Sequence, residues 1–230
     1  MILAIDTSTL VGSVAIAGDD GEVVAEACER VTTHSEKLLP LVERVLAAAG
    51  ARIGDVTAVA CGAGPGSFTG LRIGMATAKG LCWATGRPLV LVSSLAALAL
   101  NAPPGEALLV PLIDARKGEV FAGFFRLGEN LPPVAVRAAI ALAPARLRDT
   151  LGADADGACL LGDGAIAYRD ALAGLRILGG PHEVRAAKVA RLARARLARG
   201  EHDDLASAAP TYVRASDAEQ ARAKALRGAS

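Results

Sequence analysis

The chain has 230 residues, 52% hydrophobic and 21% charged, with a formal net charge of +1. That is ample apolar material for one large or two small cores, and so even a balance gives no global attraction to nucleic acid, a membrane surface or an acidic ligand. No run of about 18 apolar residues predicts a membrane span, and Met1 to Ile5 lacks the basic start of a signal peptide, since Asp6 interrupts the apolar run at once.

Three β signals open the chain. Ile2 to Ile5 is apolar, Gly12 to Ala17 is small and β-branched, and Glu22 to Ala27 carries Val23 and Val24. Asp6-Thr7-Ser8-Thr9 separates the first two, and Gly18-Asp19-Asp20-Gly21 the second and third, which predicts an antiparallel meander. A helix is expected over Ser35 to Ala49, because Leu38, Leu41, Val42, Val45 and Leu46 recur at helical spacing. Thr33-x-x-Glu36 has the form of a capping box, Gly50 is a stop, and Pro40 should kink the helix or delay its start.

Val56 to Cys61 predicts a strand, followed by Gly62-Ala-Gly-Pro-Gly-Ser-Phe-Thr-Gly-Leu-Arg-Ile-Gly74 and a second helix from about Thr69 to Ala84. Pro88 to Val92 predicts another strand, and Ser93 or Ser94 caps a helix over Leu95 to Leu100. Three strands, helix, strand, helix, strand, helix is the order of the ribonuclease H-like unit of the actin-like ATPase superfold. A Rossmann fold alternates strand and helix from the start.

Asn101-Ala-Pro-Pro-Gly-Glu106 breaks both periodicities and marks a boundary. The expected division is a first lobe over 1–103 and a degenerate, reduced second lobe over 104–230, whose last segment, from about 205, is free to return to the first. Ala107 to Asp114 and Glu119 to Arg126 predict strands around an Arg116-Lys117-Gly118 turn. Leu127 to Pro144 gives no clear signal. Cys159 to Leu161 and Leu175 to Leu178 predict short strands flanking a helix over Ala165 to Ala173, and Val184 to Ala198 predicts a basic helix whose default is a solvated face, with RNA or an acidic partner as the alternative.

The glycine stretch invites a phosphate-binding reading, because a strand, a glycine-rich turn and a helix start can present free N–H groups to an anion. It lacks the Lys-Ser/Thr of a Walker A loop and the third glycine of Gly-x-Gly-x-x-Gly, so a structural tight turn stands beside that reading. Beyond it, Gly70, Gly74 and Ala78 line one helix face at the cost of roughly 1 kcal/mol per glycine. Such a face serves close packing either on the chain's own sheet or on a helix of another chain. Asp6 and Asp114, each ending a strand, are candidate acids for Mg–phosphate chemistry and could face one cleft, or they simply cap turns. His34, His182 and His202 are isolated, with no His-Glu-x-x-His pair, so no metal or catalytic histidine set is nominated. Cys28, Cys61, Cys82 and Cys159 form no Cys-x-x-Cys motif and are expected as buried, reduced thiols of a cytoplasmic protein.

Asp6-Thr-Ser-Thr9, His34-Ser-Glu-Lys-Leu-Leu-Pro40, Gly64-Pro-Gly-Ser-Phe-Thr-Gly-Leu-Arg-Ile-Gly74, Ser93-Ser-Leu95, Ile113-Asp-Ala-Arg-Lys-Gly-Glu-Val120 and Pro210-x-Tyr-x-Arg214 occur in this order, and the chain so resembles the TsaB (YeaZ) family. The resemblance covers nearly the whole chain and is weakest from Leu127 to Gly180. It implies a two-lobed actin-like fold and a non-catalytic subunit that activates TsaD in threonylcarbamoyl transfer to adenosine at position 37 of tRNA. TsaD, a paralogue of the same fold, holds the metal, and the ATPase TsaE joins the complex. No catalytic residue, metal or cofactor is implied for the chain itself, with ATP or ADP expected only at a complex interface; tRNA is met indirectly and no membrane is involved.

The resemblance also implies that the first lobe's two helices form the surface for TsaD, or for a second copy when TsaD is absent. Leu38, Leu41, Val42 and Val45 on one helix, and Gly70, Leu71, Gly74, Met75 and Ala78 on the other, would carry that contact. Replacing Gly74 with Leu or Arg would then block association and leave the monomer folded. Asp6, Thr7, Ser8, Gly64, Gly66, Ser67 and Asp114 would be the relic of a phosphate site. An actin-like ATPase in its own right and an M22-type metallopeptidase are the competing readings, the latter lacking its paired histidines.

Overall fold

Alternation along the first strand decides the layering. β1 (Ile2–Asp6) is buried throughout, with Ile2 and Ala4 in one core and Leu3 and Ile5 in another, as the two-residue period of a strand requires. A computed structural model describes residues 1–30, 34–106, 108–128 and 132–214. β2 (Val11–Ala17) and β3 (Val23–Arg30) flank β1 as an antiparallel meander, while β4 (Ala58–Gly62) and β5 (Leu89–Val92) add in parallel on its other side, in the order β3-β2-β1-β4-β5.

The second sheet repeats this plan. β6 (Leu108–Arg116), β7 (Glu119–Arg126) and β8 (Val134–Leu142) are antiparallel neighbours, and β9 (Ala158–Leu161) and β10 (Arg176–Ile177) join β6 in parallel, in the order β10-β9-β6-β7-β8. Its first strand is again central and its fourth and fifth again lie opposite the meander. The two lobes therefore share one topology, that of the actin-like superfold. The second is reduced in its helices and not in its strands.

α1 (His34–Ala48) and α2 (Phe68–Thr85), of 15 and 18 residues, cover the outer face of the first sheet. The equivalent positions on the second sheet hold α4 (Leu147–Leu151) and α5 (Asp163–Ala167), five residues each, extended by 3-10 turns. α1 starts before Pro40 and runs through it as one helix, so the later start does not occur. It ends where Gly50, at φ 62, donates to Ala47 O and Ala51 donates to Leu46 O, the paired bonds of a Schellman ending. The expected Thr33 cap lies outside the described residues, as does the His34 side chain.

Between the two sheets lie α3 (Ser94–Ala99) and α6 (Ala186–Leu197), sharing the central core with Ile2, Ala4, Ala15, Ala17 and Ala60 of the first sheet and Leu109, Ile113 and Phe121 of the second. Alanines on the inner face of the first sheet let α6 lie close to it. The expected basic helix forms and keeps a solvated face with Arg191 and Arg194 exposed, but its other side is core. Ala186, Val189, Ala190, Leu192 and Ala193 are buried, and two of its cations turn back onto the chain, Arg194 to Asp19 O and Arg196 to Leu91 O and Asp203. The chain returns to the first sheet at Ala186, earlier than position 205.

Long-range caps hold the start of α6. Ser13 Oγ accepts from Ala186 N at 2.8 Å, and the Glu26 carboxylate accepts from Ala187 N at 2.9 Å while pairing with Arg185. Glu26→Ala removes a charge-assisted cap and leaves Arg185 without its carboxylate, so the loss should be about 1–2 kcal/mol of folding stability. A urea midpoint equal to that of the wild type would contradict this role.

Two further differences from expectation have simple causes. β8 went unmarked because Ala135, Ala138, Ala139 and Ala141 give neither alternation nor β propensity. Cys61, Cys82 and Cys159 are buried as expected, whereas Cys28 is exposed on β3, at the open edge of the first sheet.

Candidate functional site

The glycine loop leaves β4 and turns into α2, whose first turn is capped by Ser67: its Oγ accepts from Gly70 N at 3.2 Å. Gly64 sits at φ 101, a conformation that favours glycine, and its flanks are pinned by Ala63 N to Val92 O at 2.8 Å and Ser94 N to Gly64 O at 2.9 Å. The loop is thereby held to the end of β5. It is equally bound to the turn after β1.

That second contact decides what the loop can do. Ser67 N donates to Ser8 O at 2.7 Å, and Thr7 Oγ1 donates to Gly70 O at 2.7 Å. A Cβ on Gly66 would lie 2.3 Å from Ser8 O, and one on Gly70 would lie 2.1 Å from Thr7 O. The two loops that would have to part around a phosphate are hydrogen-bonded to each other. Asp6 lies beneath them, 0% exposed, accepting from Ser8 N, Ser8 Oγ and, at 2.7 Å, Ser94 Oγ. A buried carboxylate with several donors is a structural anchor. It is not placed to meet a Mg–phosphate group.

Asp114 stands at the matching strand end of the second lobe and does line the cleft, together with Ser8, Gly66 and Ser67. Asp6, Thr7 and Gly64 do not, so the two strand-end acids share no cleft surface. The Asp114 carboxylate accepts from Arg116 N at 2.8 Å and Tyr168 Oη at 3.1 Å, and pairs with the Arg116 guanidinium at 3.1 Å. Arg116 and Lys117 both take positive φ in the expected turn. Behind Asp114 is Asp163, unmarked from sequence, whose Oδ1 accepts from Asp114 N at 3.1 Å. Burial pushes its carboxyl up to about 6, with the Asp114 charge adding to the rise and backbone N–H donors opposing it. Gly162-Asp163-Gly164 directly after β9 was the available signal, a third strand-end acid.

The residues expected at a partner surface face inward. Leu38, Leu41, Val42, Val45, Met75 and Ala78 belong to the core under α1 and α2, and Gly70, Leu71 and Gly74 are likewise buried. A Cβ on Gly74 would lie 2.2 Å from Thr7 Oγ1. The small face therefore packs on the chain's own β1–β2 loop, and the expected survival of a Gly74→Leu monomer is withdrawn. What these helices show to solvent is different: Leu39 at 52% exposure on α1, with Ala76, Gly80 and Trp83 on α2, Trp83 at 83%.

Among the described residues no group of three His, Cys, Asp or Glu is placed to hold a metal ion. His182 Nδ1 accepts from Gly162 N at 3.0 Å, an intrachain bond. Among the described residues no helix is long and apolar enough to cross a membrane.

A family model described as "TsaD: tRNA N6-adenosine threonylcarbamoyltransferase" matches residues 19–154. The tRNA threonylcarbamoyladenosine biosynthesis protein TsaB of Escherichia coli is 42% identical over 133 residues, 56% of each chain. The chain spans about half the length of the curated relatives it matches. The solved structure of YeaZ from Pseudomonas aeruginosa, 34% identical, superposes over 92% of this chain and 98% of its own with a TM-score of 0.79. Component A of the (R)-2-hydroxyglutaryl-CoA dehydratase of Acidaminococcus fermentans, 13% identical, covers 84% of this chain and 96% of its own at a TM-score of 0.53, a likeness of fold alone.

Proposed function

The chain belongs to the TsaB/YeaZ family, and on that premise we propose that it is the non-catalytic partner subunit of TsaD in synthesis of N6-threonylcarbamoyladenosine on tRNA. It would work in the cytoplasm, with TsaE joining the pair and with a second copy of the chain replacing TsaD when TsaD is absent. The observation that carries the non-catalytic part is the closure of the two loops over Asp6, which leaves no room for phosphate between them. The match to a TsaD model over residues 19–154, which includes α1 and α2, beside TsaB relatives fits two proteins of one fold.

The docking face follows from a cost without an internal offset. Glycine in a helix interior costs roughly 1 kcal/mol against alanine. Gly70 and Gly74 repay it by admitting Thr7, but a Cβ on Gly80 would meet nothing within 4 Å. A helix of the partner crossing at Gly80 would use that space, with Ala76 beside it and the exposed Trp83 and Leu39 as apolar anchors. The outer face of α1 and α2, and not the inner one, is therefore the surface assigned to TsaD.

The test is reconstitution. TsaD, TsaE, tRNA, threonine, bicarbonate and ATP, with the enzyme that makes threonylcarbamoyl-adenylate, should yield modified tRNA only when this chain is present. Modification at an equal rate without it would overturn the reading. Trp83→Ala should weaken TsaD binding at least about tenfold, with the isolated chain's melting temperature unchanged. Equal affinity would move the interface off this face.

A further inference from the structure

Within the described residues the chain crosses between its lobes three times. Two crossings, between α3 and β6 and between β10 and α6, lie beside the shared core through Leu100, Leu178 and Val184. Asn101 staples these two together, its Nδ2 donating to Pro181 O at 3.2 Å and to Glu183 O at 2.9 Å. The third crossing spans the open side of the cleft.

That crossing is prepared along the first lobe. Asp203 N donates to Leu89 O at 2.8 Å and its carboxylate accepts from Leu91 N at 2.7 Å, covering the outer edge of β5. Leu205 and Ala208 pack on the core under α1 and α2, where Lys79 Nζ donates to Ala206 O at 3.3 Å and Ala208 O at 3.1 Å. Thr211 N donates to Ala63 O at 2.7 Å, and Tyr212 packs on the Phe68 ring at 5.1 Å and accepts from Arg72 Nε at 3.2 Å. The chain then passes over a cavity of about 620 Å³ to the other lobe. There Arg214 donates to Ala115 O at 2.9 Å, pairs with Glu119 and stands 5.8 Å from the centroid of the Phe121 ring.

The two ends are unequal. The hold on the first lobe is spread from Asp203 to Tyr212, whereas the second lobe is held through one guanidinium, with Val213 against the shared core beside it. The carboxylates of the cleft do not compete for that guanidinium. Asp114 pairs with Arg116 and accepts from Tyr168 Oη, and Asp163 accepts from Asp114 N, all inside the second lobe. Lobes joined by limited contacts move against each other unless something fixes them. We propose that the segment Asp203–Arg214 is an interlobe strap that holds the cleft at one opening, with Arg214 as its latch on Glu119 and Ala115 O. Ala76, Gly80 and Trp83 have no part in it, so the strap is independent of TsaD docking and its test uses the isolated chain.

Spin labels at Arg30→Cys and Ile166→Cys, exposed positions of the two lobes, report the opening as a distance by electron double resonance in a chain also carrying Cys28→Ser. One narrow distance distribution is expected with the latch intact. Arg214→Gln should lengthen and broaden it. Glu119→Ala, which cuts the same bond from the other lobe, should do so too, and the double variant should add little to Arg214→Gln, as for two partners of one interaction. The Thr211 amide, on the first-lobe side of the strap, should exchange its hydrogen about tenfold faster in Arg214→Gln, the worth of a charge-assisted bond, while exchange over Leu41 to Val45 of α1 stays as it was. Should Arg214→Gln fold poorly, judged by its melting temperature, Glu119→Ala alone decides. Unchanged distances in a folded latch variant, fully additive effects in the double variant, or faster exchange in α1 as well as at Thr211 would overturn the proposal.

Discussion

Gly74→Leu is expected to unfold the isolated chain, or nearly so, before any partner is involved. Gly74 lies on the buried side of α2, and a Cβ there would stand 2.2 Å from Thr7 Oγ1 and 3.4 Å from Thr7 Cβ. Thr7 cannot yield cheaply, since it is fully buried and its hydroxyl donates to Gly70 O at 2.7 Å. Leucine adds three further carbons beyond that clash. Overpacking commonly costs about 1–3 kcal/mol; a lost buried hydrogen bond on top takes the total above about 3 kcal/mol. Gly80→Ala is the contrast on the same helix. Its methyl meets nothing in the chain, so the monomer should gain up to about 1 kcal/mol while TsaD binding weakens. Urea melts of both variants measure this directly. A Gly74→Leu midpoint near wild type would mean that the loop–helix packing is wrongly placed.

That contrast also shows where the sequence was legible. Helical spacing of Leu38, Leu41, Val42 and Val45 marks an apolar face, and apolar faces are buried. Spacing does not say whether the cover is the chain's own sheet or another chain, and the first answer holds. The outer face of α2 carries no periodic signal, because Ala76 and Gly80 are small and Trp83 stands alone. Its meaning emerges only when a missing Cβ is compared with its surroundings.

The fold was easier. Turn residues separate β1, β2 and β3, and the glycine loop separates β4 from α2, so the order of the first lobe follows from local chemistry. In the second lobe β6 and β7 are long apolar runs around an Arg-Lys-Gly turn and were equally plain. β8 was not, and α6 is legible as a helix but not as a buried one, for one shared reason: alanine supports a buried or an exposed position with little difference. α6 then looks basic and solvated, although its alanines are what allow it between two sheets.

Asp163→Asn should stabilise the protein near neutral pH and flatten its pH dependence. Asp163 has its carboxyl pushed from 3.8 up to about 6, chiefly by burial and further by the Asp114 charge, with Arg116 opposing. A raised carboxyl means the folded state binds a proton that the unfolded state releases. Its contribution is therefore fully present below about pH 4, declines as pH rises towards 6, and is gone above that. A shift of about two units corresponds to about 3 kcal/mol at most, less where water reaches the carboxyl from the cleft. Asparagine keeps the oxygen that accepts from Asp114 N and never ionises. The variant should thus lose no stability from this site between pH 4 and 6, the interval over which the wild type declines. Unfolding free energies at pH 4.5 and 7.5 for both proteins give the answer as a difference of differences, in which titration elsewhere cancels. Equal pH slopes would show that Asp163 is ionised without cost, and that Arg116 holds both carboxylates of the cleft rather than Asp114 alone.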